Sequence, residues 1–127
     1  MKQLVLVSVG MLLASPLIAA DGKAIFERSC AACHSINPPP KAAPPIASLA
    51  TRFHQKYQTK EKGVKQLAAY LKAPDKKNAI DQQAIDRFGI MPAQALSDEE
   101  LKTVSEWVWE QATSAMGRRK CMQRQLN

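Results

Sequence analysis

The chemistry in this chain is concentrated in the run CAACH, Cys30 to His34. Two cysteines three positions apart share one face of a helical turn, so both sulfurs can be offered to the same object. His34 follows the second cysteine directly and can swing its imidazole over whatever the sulfurs hold. C-x-x-C-H is the attachment spacing of c-type haem. Cys30 and Cys33 would form the two thioethers along the porphyrin edge, and His34 would bind the iron as its proximal ligand.

Three other uses of these residues compete with that reading. A thiol-disulfide oxidoreductase places C-x-x-C at the opening of a helix behind a strand and lowers a thiol pKa. Here the motif closes a stretch of helical pattern, and no strand signal precedes it. A zinc site needs a fourth ligand. His54 or Cys121 would have to supply it from far along the chain, with no second half-site in view. A plain disulfide would leave His34 as coincidence. Covalent attachment of one haem c accounts for all three residues.

Iron in such a protein can be held by histidine and methionine together, and the thioether raises the potential by favouring the ferrous state. Met91, Met116 and Met122 are available beyond the first twenty residues. Met91 lies in FGIMPAQAL, where Gly89 and Pro92 can aim a loop side chain; Met116 falls at a helix end and Met122 in a tail. Most methionines are flexible core fillers, and spacing alone does not choose among these.

The elements that must position these residues read as helices. MKQLVLVSVGMLLASPLIAA, residues 1–20, has a basic start at Lys2, an apolar stretch from Leu4 to Leu13 and small residues at Ala19 and Ala20. It is the pattern of a secretory signal peptide, too short for a membrane span. Its removal would leave a domain over 21–116 and a basic, mobile tail over 117–127. Gly22 to Cys33 predicts a first helix with Ile25, Phe26, Cys30 and Cys33 on one side. INPPPKAAPP holds five prolines in ten residues and must be an extended loop. Further helices are expected from Ile46 to His54 or Tyr57, from Gly63 to Lys72 ahead of Pro74, and from Ala79 to Phe88 with Gly89 ending it. Ser97 and Glu100 form a capping box, with Leu96 and Leu101 as a hydrophobic staple, for a last helix. Its apolar face runs through Leu101, Val104, Val108, Ala112 and Ala115, widened by Trp107, and Gly117 is expected to stop it. The fold class is all-α.

The net charge of the chain is +7. Lys56, Lys60, Lys62, Lys65, Lys72, Lys76 and Lys77 crowd one segment, answered only by Glu61 and Asp75. An exported protein seldom meets nucleic acid, so this stretch is read as a solvated face or a docking face for acidic proteins. No nucleic-acid partner is expected. His54 is read as an exposed helix residue.

GKAIFERSCAACH, Gly22 to His34, resembles the first helix of the class I cytochromes c, and IMPAQALSDEELKTVSEWVWEQ, Ile90 to Gln111, is similar to their methionine loop and last helix. The likeness covers about a third of the chain, at both its ends. It implies a cytochrome c-like fold of short helices around one haem, with the terminal helices packed through Gly22, Phe26 and Trp107. It also implies Met91 as the distal iron ligand. The family has a proline carbonyl accepting from the proximal imidazole; Pro44 and Pro45 both qualify, without the glycine that normally marks the position. The middle, Gln55 to Arg87, departs from the family pattern, and Arg52, His54, Tyr57 and Tyr70 are candidates to meet the haem propionates. With both axial positions filled, the protein would be a periplasmic one-electron carrier and not an enzyme. It would be monomeric, outside the membrane after signal cleavage, and would meet redox partners that carry acidic docking faces. The alternatives are a gas sensor or small peroxidase with an open distal site, and an electron-entry subunit of one redox enzyme. Cys121 is an odd thiol, available for pairing between chains or merely tolerated in the tail.

Overall fold

The structure, a computed structural model, describes residues 21–125, with side chains described as far as Ala112. The expected signal peptide over 1–20 and the side chains of Met116, Cys121 and Met122 lie outside the described residues. Among the described residues there are five helices and no strand: α1 Gly22–Ser29, α2 Ile46–Lys56, α3 Lys60–Lys72, α4 Gln82–Phe88 and α5 Asp98–Gln125.

The first helix is shorter than its apolar pattern suggests. Asp21 caps it by accepting from the Lys23 amide. It ends at Ser29 because the amides of Cys30 and Ala31 both donate to Phe26 O, at 2.8 and 3.0 Å, and Cys30 leaves helical geometry at φ −124°. The motif CAACH therefore forms a separate turn after α1. The proline-rich loop leads into α2, whose first amides, on Ile46 and Ala47, donate to Ser35 O and Ile36 O, both at 2.9 Å.

Thr59 accepts from the Lys62 amide, so α3 starts ahead of the expected Gly63. Asp81 accepts from the Ala84 amide at 3.2 Å, so α4 starts later than Ala79. It closes at Gly89, which takes φ +82°. The capping box of α5 is formed reciprocally: the Glu100 amide donates to Ser97 Oγ at 3.1 Å and the Ser97 amide to Glu100 Oε2 at 3.0 Å. Gly117 does not end this helix, which continues to Gln125. A glycine inside a helix costs only about 1 kcal/mol relative to alanine, and Met116, Arg118, Arg119 and Lys120 around it all favour helix.

Helices α1, α2 and α3 each pack on α5, and α2 also touches α3. The expected α5 face is buried at Leu101, Val104, Val108 and Ala112, against Ile25, Phe26, Phe53 and Leu67. At the α1–α5 crossing Gly22 sits so close that a Cβ on it would lie 2.5 Å from Trp107 Cβ. The Phe26 and Trp107 rings stack there with centroids 4.8 Å apart. A second glycine crossing, which the sequence pattern does not single out, brings Gly63 of α3 against the Trp109 ring. No helix among the described residues is long and apolar enough to cross a membrane.

Candidate haem site

Helices α1 to α3, α4 and the loop after it enclose a cavity of about 360 Å³, within the range of roughly 300 to 1,000 Å³ usual for cofactor pockets. Cys30, Cys33 and His34 form one side. Ala84, Ile85 and Phe88 from α4, followed by Ile90, Met91 and Pro92, form another. Phe53, Leu67, Leu71, Val104 and Val108 supply an apolar floor from the core. The structure thus brings Cys30, Cys33, His34 and Met91 to one cavity, although CAACH and Met91 are separated by more than half the described chain.

The turn after α1 fixes the first group. The amides of Cys33 and His34 both donate to Cys30 O, at 3.1 and 2.9 Å, and Lys41 Nζ donates to Ala31 O. Cys30 is half-buried and Cys33 exposed, with both thiols unbonded. Burial, then the neighbouring Cys33, pushes the Cys30 thiol up from its ordinary pKa. That is the reverse of the lowered pKa of a redox-active thiol, and among the described residues no strand precedes the motif. The thiol oxidoreductase reading has no support here.

His34 Nδ1 lies 2.7 Å from Pro44 O. A carbonyl can only accept, so Nδ1–H donates and Nε2 keeps its lone pair. Pro44, and not Pro45, is the acceptor. Such a bond fixes the tautomer and ring orientation of a metal-ligating histidine. Burial pulls the imidazole pKa down and the Pro44 bond opposes this, which favours the neutral, ligating form. Met91 is half-buried, packed against the core cluster and on the cavity wall. A strand-free, apolar cavity with two free thiols, one oriented imidazole and one thioether on its walls has the donor set that haem c requires.

Of the four residues considered as propionate partners, only Tyr70 lines the cavity. Arg52 Nε instead meets Asp81 Oδ2 at 2.9 Å, and Tyr57 stacks on Phe53. His54 is not the exposed residue its helix position suggested. Its ring stacks on Trp109 at 3.7 Å between centroids, and Nε2–H donates to Trp109 O at 3.0 Å. It serves the packing of α2 on α5, which also removes it as a zinc ligand beside CAACH. Among the described residues no cluster of three or more His, Cys, Asp or Glu side chains could hold a metal ion.

The crowded lysines are exposed, and several have partners far along the chain. Lys60 pairs with Glu110, Lys72 with Asp98 and Lys76 with Asp86.

An all-α chain whose terminal helices cross through a glycine and a stacked aromatic pair, and which carries CAACH on the wall of an apolar cavity, defines a covalent haem-binding protein. The cytochrome c family model matches residues 19–112, and the chain belongs to that family. The match is consistent with a class I c-type cytochrome. No curated protein and no solved structure matches the chain. Members of the family carry covalently attached haem c, one in a domain of this size, and act in haem-based electron transfer with redox partner proteins.

Proposed function

We propose that this chain is exported to the periplasm and shuttles single electrons between redox proteins, with His34 and Met91 as the axial ligands of its haem. Cys30 and Cys33 are the attachment points. When bound, the haem supplies an iron that accepts and returns one electron. The chain's own part is to orient, insulate and tune. Pro44 O holds the imidazole of His34 with Nε2 free, the apolar floor excludes water, and a thioether from Met91 favours the ferrous state.

The observation that carries this reading is the placing of His34 and Met91 on the walls of one cavity, with Met91 packed against the core. A side chain anchored in that way favours a closed iron over the open distal site of a gas sensor or peroxidase. The exposed lysines left after pairing give a positive surface suited to acidic partners, and the protein acts as a monomer that meets them transiently.

The test is a set of absorption spectra and a redox titration on the haem-loaded protein and its Met91→Ala variant. The wild type should hold its haem through acid-acetone extraction and leave its reduced form unreactive to carbon monoxide. Met91→Ala should bind carbon monoxide and have a lower potential. An unchanged spectrum and potential in the variant would assign the sixth position to another residue.

A further inference from the structure

Helix α4 stands apart from the rest of the fold. None of its residues is buried, and it packs against no other helix among the described residues. Its apolar residues Ala84, Ile85 and Phe88 face the cavity. The loop carrying Met91 follows directly through Gly89.

Besides the packing of Met91 against the core, two polar connections tie the segment between Asp81 and Gln94 to the helical frame. At its far end the Gln94 amide donates to Leu71 O at 2.9 Å. At its near end Arg52 of α2 pairs with Asp81 at 2.9 Å. Among the described residues this is the one ion pair joining α4 or its cap to another helix; Lys76 with Asp86, and Gln82 with Lys76 O and Ala79 O, join α4 only to the loop that precedes it. The Asp81 carboxylate does two things at once. Its Oδ2 meets the Arg52 guanidinium, and its Oδ1 caps the Ala84 amide. Its side chain is only 15% exposed and lies on the cavity wall.

We infer that Arg52 and Asp81 are positioning residues for the distal ligand: their pair holds the start of α4, and thereby the wall and loop that present Met91. The inference rests on Met91 being the sulfur ligand. Met91 is then carried on a strap fixed at both ends. One fixing is a backbone hydrogen bond; the other is an ion pair that a single side-chain change can release. A half-exposed pair of this kind is modest in strength, so its loss should increase the open population of the strap by roughly two- to fivefold.

The test uses the full-length, haem-loaded protein with Arg52→Met, Arg52→Lys, Asp81→Asn and the Arg52→Met/Asp81→Asn double variant. Asparagine keeps an oxygen for the Ala84 amide, so Asp81→Asn removes the charge without removing the cap. Carbon monoxide binding to the reduced protein, the absorption band of sulfur-ligated ferric haem, and amide exchange over 84–88 are measured beside the thermal midpoint. Arg52→Met and Asp81→Asn should each speed carbon monoxide binding and exchange roughly two- to fivefold, the range set by the pair's strength, and weaken the sulfur band. The double variant should be no worse than either single one, because both remove the same interaction. Arg52→Lys should restore most of the loss. If the single variants lower the thermal midpoint but leave the band and carbon monoxide binding at wild-type values while Met91→Ala changes both, the inference alone falls. If Met91→Ala is itself silent, the ligand assignment falls and takes the inference with it.

Discussion

Two glycines are required for different reasons, one beside the Met91 loop and one at the α1–α5 crossing. Gly89 has φ +82° and ψ 178°, a region that residues bearing a Cβ avoid, and a Cβ there would meet nothing within 4 Å. The cost of Gly89→Ala is therefore conformational, about 1 to 3 kcal/mol. It should be read as a lower denaturation midpoint, accompanied by a weaker sulfur band because Met91 is two residues on. Gly22→Ala meets the opposite problem. Its Cβ would stand 2.5 Å from Trp107 Cβ and 2.7 Å from Thr103 O, and backbone cannot retreat as a flexible side chain can. Overpacking of this kind costs about 1 to 3 kcal/mol, and its loss of stability should leave the sulfur band intact in the molecules that remain folded. The role of Gly22 was legible only through the family resemblance. That of Gly63 was not legible at all, because close approach is a relation between helices far apart in sequence. His34 announced itself as a donor, but its acceptor depended on the path of a proline-rich loop. His54 was misjudged because its partner, Trp109, lies on another helix.

Helix boundaries were readable where the cap is a reciprocal box, as at Ser97 and Glu100. They were missed where a single side chain caps the helix outside its apolar pattern, as Thr59 and Asp81 do, or where tertiary bonding decides. Ser97 and Glu100 carry their signal in four consecutive residues, and both hydrogen bonds of the box form. The end of α1 depends on Phe26 O accepting twice, which no periodicity records. The capping box also makes α5 sensitive to acid. The Ser97 amide holds the Glu100 carboxyl below its ordinary pKa of 4.5; burial opposes this, and Arg28 and the Ser97 hydroxyl add to the lowering. A carboxyl depressed in the folded state stabilises above its unfolded pKa, and that contribution disappears as pH falls through the folded value. Wild type should therefore exceed Glu100→Gln in stability at neutral pH, with the gap closing below pH 4.5. Chemical denaturation at a series of pH values would show this; a gap independent of pH would mean that the carboxylate charge is not what the box uses.

At the scale of the molecule, the core is built around a space. Helices α1, α2 and α3 are secured on α5, but α4 and the Met91 loop face an apolar cavity of about 360 Å³. Without a large apolar group in it, the lining from Phe53, Leu67, Leu71, Val104 and Val108 to Ile85 and Phe88 stays in contact with water and forgoes burial worth about 25 cal/mol per Å². That loss weighs heavily against a typical domain stability of about 5 to 15 kcal/mol. A chain unable to attach haem should consequently lose most of its cooperative folding. The loss should be uneven. The crossing of α1 with α5 retains Gly22 against Trp107 and the stack of Phe26 on Trp107, whereas α4 is joined to another helix only by Arg52 with Asp81. In a Cys30→Ala/Cys33→Ala variant, amide exchange should be near the unfolded rate over 82–92 and slowest in α1 and the first half of α5. The thermal transition should be broad or missing. A sharp transition with α4 amides still protected would show that the helices close on themselves without the cofactor, and that the haem occupies a finished fold instead of completing one.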